Sequence, residues 1–227
     1  MLAVATALDV KDLNLRQASA AIKQCTPSET IEILSAAHLH GLLAGLKTGE
    51  YEIVGDAGDY LGVLNDGATI RVSGNVGQYV GDNMTRGLIE VAGSAAYGAG
   101  LYPYGGTLVI RGNAGNFTAT MNKGATIIVC GDVGDESATY HLAGDFIVVG
   151  NAGSNFGNYL IRGHLYIGGE FKSQGHNALI EELTIEDAQK LRRYFEQFDV
   201  NADATRFRKL VAETAKPFYG KIVKRHE

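Results

Sequence analysis

The chain has 227 residues, of which 45% are hydrophobic and 20% are charged, and its formal net charge is −5. This composition is typical of a soluble globular protein, and the acidic balance provides no basic surface for nucleic acid. No apolar run approaches the roughly 20 residues that a bilayer-spanning helix needs, and the first residues do not resemble a secretory signal, so we expect a cytoplasmic location. The two cysteines, Cys25 and Cys130, form no CxxC pair and indicate neither a disulfide framework nor a zinc site.

The first segment, residues 1–30, predicts an extended start followed by a helix over residues 12–24 that ends before Pro27. The expected buried side of this helix consists of Leu13, Ala20 and Ile22. The middle of the chain contains a nineteen-residue repeat, described below. Residues 30–46 fit its pattern one period before its first glycine, so we interpret them as a degenerate first coil. His38 and His40 share a strand face there, which is compatible with a metal site or with surface contacts, but no third ligand is evident.

A glycine returns every nineteen residues through the middle of the chain, and this fixed period indicates a repeat architecture. A second small residue follows three positions later and a third one seven positions later, so each repeat has the frame GxxGxxx[GA]. The first glycine of each repeat is Gly55, Gly74, Gly93, Gly112, Gly131, Gly150 or Gly169.

Apolar side chains alternate with variable ones just before each of these glycines. Such a period of two, with many β-branched residues, predicts a short strand. A single short strand cannot bury its apolar face alone, so we expect successive repeats to stack as the coils of a β-solenoid. The two inward columns are Tyr51, Ile70, Ile89, Leu108, Ile127, Phe146 and Leu165, and Ile53, Val72, Val91, Ile110, Val129, Val148 and Ile167.

The repeated glycines mark the corners of these coils, where the backbone needs either a positive φ or close approach to the next coil. The residue after the first glycine is Asp, Asn or Ser in six repeats, which is typical of turns. A calcium-binding β-roll is disfavoured because its period is nine and its frame is GGxGxD.

Outward positions on the strands divide into two kinds. Glu52, Arg71 and Glu90 form a ladder of alternating charge suited to water. The next four coils replace this ladder by an apolar stripe, for which two interpretations are open: a partner interface, or a surface that the chain's own terminal helix covers. The apolar stripe consists of Val109, Ile128, Ile147 and Tyr166.

After Gly169 the repeat ends and charged residues become more frequent. The sequence TIED at residues 184–187 resembles a capping box and predicts a helix over residues 185–198, and a second helix is predicted over residues 204–212. We expect both helices to cap the open end of the solenoid. The expected organisation is therefore an extension at 1–30, a β-helix at 31–180, and helices with a basic, aromatic tail at 181–227.

The search for catalytic motifs gives no phosphate loop, no dinucleotide fingerprint, no HExxH and no GxSxG. Asp132, Asp135 and Glu136 are the densest acidic cluster, but they occupy corner positions where Asp serves the turn. The histidines lack a companion nucleophile, and the irregular coil around Tyr102 and Tyr104 is either a contact loop or a packing irregularity. We expect no catalytic, cofactor-binding or metal-binding residue on this chain.

The repeated sequences GDAGDYLG, GNVGQYVG and GNAGSNFG resemble the carboxy-terminal β-helix of the glutamate synthase large subunit, the GXGXG domain. The resemblance covers roughly residues 30–180. It implies a right-handed parallel β-helix of about seven to eight coils that carries no catalytic residue. It also implies a separate subunit, as in systems where the domains of glutamate synthase are split.

Among stand-alone members, the KPFYG sequence near the end most resembles the β-helix subunit of N-methylglutamate synthases. That resemblance implies a hetero-oligomer with an amidotransferase-like subunit and an FMN-binding subunit, with FMN and an iron–sulfur cluster on a partner. A second family with the same β-helix includes the C subunit of formylmethanofuran dehydrogenase and of formyltransferase/hydrolase complexes. Two further classes are a self-standing solenoid enzyme and a homo-oligomeric structural protein. Of these, only the enzyme would turn over a substrate without partner subunits.

Overall fold

The structure, a computed structural model, describes residues 6–25, 30–214 and 216. It begins with strand β1 (Thr6–Asp9), helix α1 (Leu15–Gln24) and strand β2 (Thr30–Leu34). The next seven strands are β3 (Glu50–Val54), β4 (Asp66–Val72), β5 (Arg86–Val91), β6 (Thr107–Ile110), β7 (Lys123–Val129), β8 (Ala143–Val148) and β9 (His164–Ile167). The last elements are β10 (Ala178–Glu181), helix α2 (Ile185–Gln197), a short 3-10 helix (Ala204–Arg206) and β11 (Arg208–Ala212).

The strands form one 11-stranded sheet in which β1 to β9 follow chain order and pair in parallel. From β3 onward the paired residues are one repeat apart, as in Glu50 opposite Thr69 and Thr107 opposite Thr126. Connections between parallel neighbours form the other sides of each coil, so the chain winds through about seven turns. The predicted β-solenoid is thereby confirmed.

The interior of the solenoid is filled by the two predicted inward columns. Every member of these columns is buried, from Tyr51 at 8% exposure to Leu165 at 0%. The degenerate first coil is also confirmed, because Ala36, Leu39 and Leu43 lie in the same core. Stacking therefore joins all coils into one continuous core, which no single repeat could form.

Helix α1 begins later than the sequence predicts, at Leu15, because Asn14 and Gln17 form a reciprocal capping box there. This start places Ala18 and Ile22 on the buried side, whereas Ala20 is exposed, so that part of the prediction was wrong. The predicted stop at Pro27 lies outside the described residues.

The corner glycines are explained mainly by close approach between coils. Of the seven first glycines, only Gly55 has a positive φ, at 93°. A Cβ on Gly112 would lie 2.4 Å from Ser94 Oγ and 2.8 Å from Gly93 O in the preceding coil. The positive φ belongs instead to the third small residue of each repeat, for example 66° at Gly81 and 60° at Ala138.

The Asp, Asn and Ser side chains after these glycines connect neighbouring coils. Asp56 Oδ1 accepts the backbone N–H of Asn75 at 2.7 Å, and Asn75 Oδ1 accepts that of Ser94 at 2.8 Å. The same contact repeats at Asn113, where Oδ1 accepts the N–H of Asp132 at 2.8 Å. These side chains thus stabilise the stack as well as the turn.

The C-terminal elements differ from the prediction in two ways. The helix predicted over residues 204–212 was wrong, because residues 208–212 form β11, which pairs antiparallel with β9 and with β10. Its side chains alternate, with Leu210 inside the core and Lys209 on the opposite face. Strand β11 thereby satisfies the backbone groups at the free edge of β9, so the end of the solenoid is closed by strands rather than by helices.

Helix α2 confirms the predicted C-terminal helix and its capping box between Thr184 and Asp187. It does not cap the end of the solenoid, however, but packs on the outward face of the strands. The basic tail lies outside the described residues except for Lys216.

Candidate functional site: the outward face of the strands

The outward face of strands β2 to β9, called the flank below, is the surface on which the sequence places its candidate interface. Its apolar part is fully buried, since Val109, Ile128, Ile147 and Tyr166 all have 0% exposure. They pack against the chain's own C-terminal segment, whose buried members are Leu191, Phe195, Phe198, Val200, Ala204 and Phe207. The partner-interface interpretation of this stripe was therefore wrong, and the alternative, a cover provided by the chain itself, is what the structure has.

The cover is fixed by a buried polar cluster around Asp187, in the first turn of α2. Asp187 accepts hydrogen bonds from Tyr166 Oη at 2.7 Å and from Lys209 Nζ at 2.9 Å. Burial opposes ionisation of Asp187, but the hydrogen bonds from Tyr166, Lys209 and Thr184 together outweigh it and lower the pKa of the carboxyl group. Burial and the hydrogen bond to Asp187 raise the pKa of Tyr166, which keeps its phenol protonated.

A second polar cluster holds the middle of α2 around Asp145 of β8. Lys190 Nζ lies 3.0 Å and His164 Nδ1 lies 3.3 Å from Asp145 Oδ1, and Tyr194 Oη donates to Asp145 Oδ2 at 3.1 Å. Burial disfavours the charged carboxylate, but hydrogen bonds from His164 and Lys190 prevail and the pKa of Asp145 is lowered. Sequence reasoning missed both clusters, because only folding brings α2 over β8 and β9 and places β11 beside β9 in the sheet.

Substituting Asp187→Asn is expected to lower the free energy of unfolding by about 2–3 kcal/mol, because Lys209 loses its buried counter-charge and Tyr166 its charged acceptor. Denaturant unfolding at pH 7 measures this loss. The matched control is Glu186→Gln, which removes an exposed carboxylate from the same helical turn and should cost less than about 0.5 kcal/mol. Equal losses for the two variants would contradict a role of Asp187 in holding α2.

The remaining part of the flank is not covered by α2. The register of the predicted charge ladder is confirmed there, with Glu52 opposite Arg71 and Arg71 opposite Glu90. The ion pairs differ from the ladder, because Arg71 Nε lies 3.2 Å from Glu90 Oε2 and Arg71 Nη1 lies 3.7 Å from Glu50 Oε2, whereas Glu52 forms none within the described residues. Glu52, Arg71, Glu90 and Arg111 line a shallow groove of about 310 Å³ with apolar and small side chains between them. The flank thus consists of a covered apolar half and an open, charged half.

The other titratable candidates from the sequence serve the stacking of coils. Asp132 and Asp135 each accept a backbone N–H of the following coil at 2.7 Å, and Glu136 Oε1 accepts from Asn155 Nδ2 at 2.6 Å. His40 Nδ1 accepts the backbone N–H of Asp59 at 3.0 Å, which reproduces the same contact in the degenerate coil. Within residues 6–25, 30–214 and 216, the structure contains no group of three His, Cys, Asp or Glu side chains that could hold a metal ion.

The irregular coil around Tyr102 and Tyr104 is organised by a lysine. Lys123 Nζ lies 3.9 Å from the ring centroid of Tyr104 and 5.7 Å from that of Tyr102. A cation over aromatic rings at these distances is stabilising. This coil therefore has an internal packing explanation.

Among the residues that the structure describes, His141 is the one buried side chain with a polar atom that lacks a hydrogen-bond partner. Its Nε2 lies 3.3 Å from Gly144 O, and its Nδ1 has no hydrogen-bond partner within the described structure. Asn122 occupies the equivalent position one coil earlier, where its amide donates to Ala125 O and accepts from Ala125 N. Burial lowers the pKa of His141 to about 4.

Because His141 has a lower pKa in the folded state than its ordinary 6.5, protons bind preferentially to the unfolded chain as the pH falls. Stability is therefore lost from about pH 6.5 downward, and the loss reaches about 3 kcal/mol near pH 4. In the variant His141→Asn, the new amide should form the same kind of contacts that Asn122 forms one coil earlier. It should also remove the pH-dependent loss of stability that His141 causes. Denaturant unfolding at pH 7 and pH 5 should show the wild type losing about 2 kcal/mol more than the variant. If the wild type and the variant lose the same free energy of unfolding between pH 7 and pH 5, the loss does not come from His141.

No helix within the part of the chain that the structure describes has both the length and the apolar character needed to cross a membrane. Comparison with curated proteins returns no significant match. The family model described as the GXGXG motif matches residues 35–224, which include every coil from the first corner onward together with α2 and β11. The repeat frame, the parallel solenoid and this match over most of the sequence agree, and the chain belongs to the GXGXG motif family, that of the carboxy-terminal domain of the glutamate synthase large subunit.

Proposed function

We propose that this protein is a non-catalytic scaffold subunit of a glutamate-synthase-like complex, and specifically of an N-methylglutamate synthase. In this role it bridges an amidotransferase-like subunit and an FMN-binding subunit, which together convert methylamine and glutamate to N-methylglutamate. Membership of the GXGXG family is the observation that carries the proposal. The KPFYG sequence supports the choice of complex.

The contacts of the titratable side chains support a scaffold rather than an enzyme. The carboxylates of Asp132, Asp135, Asp145 and Asp187 hold coils or α2 in place through hydrogen bonds. Groups committed to structural contacts are poorly placed to exchange protons with a substrate. The proposal therefore assigns the reaction to the partner subunits, together with FMN and an iron–sulfur cluster.

The assignment of the chain to the cytoplasm is part of the same proposal. Cys25 and Cys130 are both free thiols in the structure. Free cysteines are usual in a reducing compartment, where a flavin-dependent synthase of small amino acids would also operate.

Reconstitution tests the proposal directly. The chain is coexpressed with the amidotransferase-like and FMN-binding subunits of an N-methylglutamate synthase, and N-methylglutamate formed from methylamine and glutamate is measured by mass spectrometry. We expect a three-subunit complex with flavin absorbance, and at least a tenfold lower rate when this chain is omitted, since the scaffold raises the effective concentration of the other two. Each pair of subunits and the chain alone serve as controls.

Three results would contradict the proposal. Equal product formation without this chain would remove the scaffold role. Turnover by the purified chain alone would make it an enzyme. Assembly with formyl-transferring subunits instead would favour the one-carbon complexes that share the β-helix.

A further inference from the structure

The path of α2 along the flank shows where the cover ends. Its contacts move from β9 to β6 as the chain proceeds, so α2 runs along the stack and across the strands. Seven residues of helix rise about 10 Å, which matches two strand spacings of about 4.8 Å. In chain order the contacts are Asp187 with Tyr166, Lys190 with Asp145, Tyr194 with Thr126, and Asp199 O with Arg111.

Beyond the end of α2, the flank over β2 to β5 has no cover within the described residues. In the covered half of the same sheet, by contrast, α2 lies over the outward face. The groove of about 310 Å³ begins where α2 stops, since Arg111 both lines the groove and donates to Asp199 O. Val54, an outward-facing apolar residue at the end of β3 in this open half, is 46% exposed.

The open half carries an excess of carboxylates. Arg71 lies between Glu50 and Glu90, but Glu32 and Glu52 lack an ion-pair partner among the residues that the structure describes. Glu32 and Glu52 stand directly opposite each other on β2 and β3. Like charges at directly opposed positions of neighbouring strands are destabilising, so a cation placed between them would be favourable.

The covered half shows how this fold satisfies an outward carboxylate. Asp145 lies in the same column of the flank as Glu50 and receives Lys190 from the helix above it, at 3.0 Å. Glu90 already has Arg71 at 3.2 Å and Arg111 at 3.5 Å, so a helix lying over β2 to β5 would meet Glu32 and Glu52 in the same way if it carried lysine or arginine. Its apolar residues would then contact Val54 and the small side chains of the groove.

We propose that the open half of the flank binds an α-helix of a partner subunit, one that carries lysine or arginine on its docking face and continues the line of α2. The four strands span about 14 Å, which corresponds to a helix of about ten residues. The acidic character of the surface disfavours nucleic acid and other polyanions. This inference rests on the proposed function and specifies which surface and which chemistry the partner uses.

The test uses Glu52→Lys, which reverses the charge that the partner helix would meet. Within the fold it relieves the repulsion with Glu32 on β2 and introduces one with Arg71 on β4, the two residues directly opposite position 52. The purified wild-type chain and variant are titrated against each partner subunit at low ionic strength. We expect the variant to unfold about as easily as the wild type, because these two changes oppose each other, and to bind at least about tenfold more weakly. Binding of the wild type should also weaken as salt is raised. The control Glu196→Lys makes the same change on the exposed side of α2 and should leave affinity unchanged.

The outcomes separate this inference from the proposed function. If the wild type binds neither subunit, both fail. If wild type and Glu52→Lys bind equally, the inference alone is overturned.

A photo-crosslinking amino acid at position 54 of the assembled complex identifies the occupant. Crosslinking to a lysine- or arginine-bearing helix of a partner supports the inference. Crosslinking to a second copy of this chain, to its own residues 216–227, or to nothing overturns it.

Discussion

Replacing Gly112 with valine is expected to prevent the chain from folding stably, with a loss of at least about 3 kcal/mol in the free energy of unfolding. The Cβ would lie 2.4 Å from Ser94 Oγ, 2.8 Å from Gly93 O and 2.9 Å from Gly93 C. Two of these atoms belong to the backbone of the preceding coil, so the coils must separate locally to admit the side chain. That separation would also lengthen the hydrogen bond from Gly112 N to Gly93 O, now 2.8 Å. Soluble yield and denaturant unfolding measure the effect.

The matched control is Gly55→Ala, at the same position of an earlier coil. Gly55 has a φ of 93°, but no atom lies within 4 Å of its would-be Cβ. Only the conformational cost of a positive φ applies there, about 1–2 kcal/mol. If Gly55→Ala is as damaging as Gly112→Val, backbone conformation rather than close approach explains the glycine repeat.

Replacing Ile128 with aspartate is expected to make the isolated chain insoluble, or to cost at least about 4 kcal/mol. Ile128 is fully buried in the cluster that contains Leu191 and Phe195 of α2. The substitution removes a large apolar contact and places a carboxylate inside an apolar cluster, and each of these costs several kcal/mol. Loss of α2 from the flank would then expose the apolar stripe to aggregation. Sedimentation and thermal unfolding of the purified variant check the result.

The control for this change is Val54→Asp, which introduces the same carboxylate on the open half of the flank. Val54 is 46% exposed, so the cost should stay below about 1 kcal/mol. A soluble, stable Ile128→Asp variant would mean that α2 leaves the flank readily, and the stripe would then be available to partners after all.

The stacking of coils was predictable because a solenoid makes the same contacts in every repeat. Each inward residue pairs with its own counterpart one period away, as Ile70 pairs with Ile89. The nineteen-residue period therefore predicts the register of the strands. The degenerate first coil was recognised for the same reason, although its glycine positions hold Ala36, Leu39 and Leu43.

The terminal elements were harder to predict because they are not repeated. Residues 204–212 have a short pattern that fits either a helix or a strand. The strand forms because it pairs with the free edge of β9 and satisfies the backbone groups there. Residues 207–211 (FRKLV) do not alternate apolar with polar side chains, so the sequence offers no period-two signal for this strand.

The flank was ambiguous for a different reason. An apolar stripe such as Val109 to Tyr166 indicates that other residues cover it. The stripe does not indicate whether those residues belong to the same chain or to a partner. Lys190 and Lys209 settle that question in the structure, since they reach Asp145 and Asp187 across the flank. Their sequence separations of 45 and 22 residues give no periodic signal.

The sequence by itself determined the repeat, the inward columns, the corner positions and the family, because the same local pattern recurs in every coil of the stack. Only the tertiary structure decided that α2 lies over β6 to β9 and leaves the groove at Glu52 and Glu90 open. The physical reason is that this choice depends on a few contacts between distant segments. Each such contact is made once, so no repetition in the sequence reveals it.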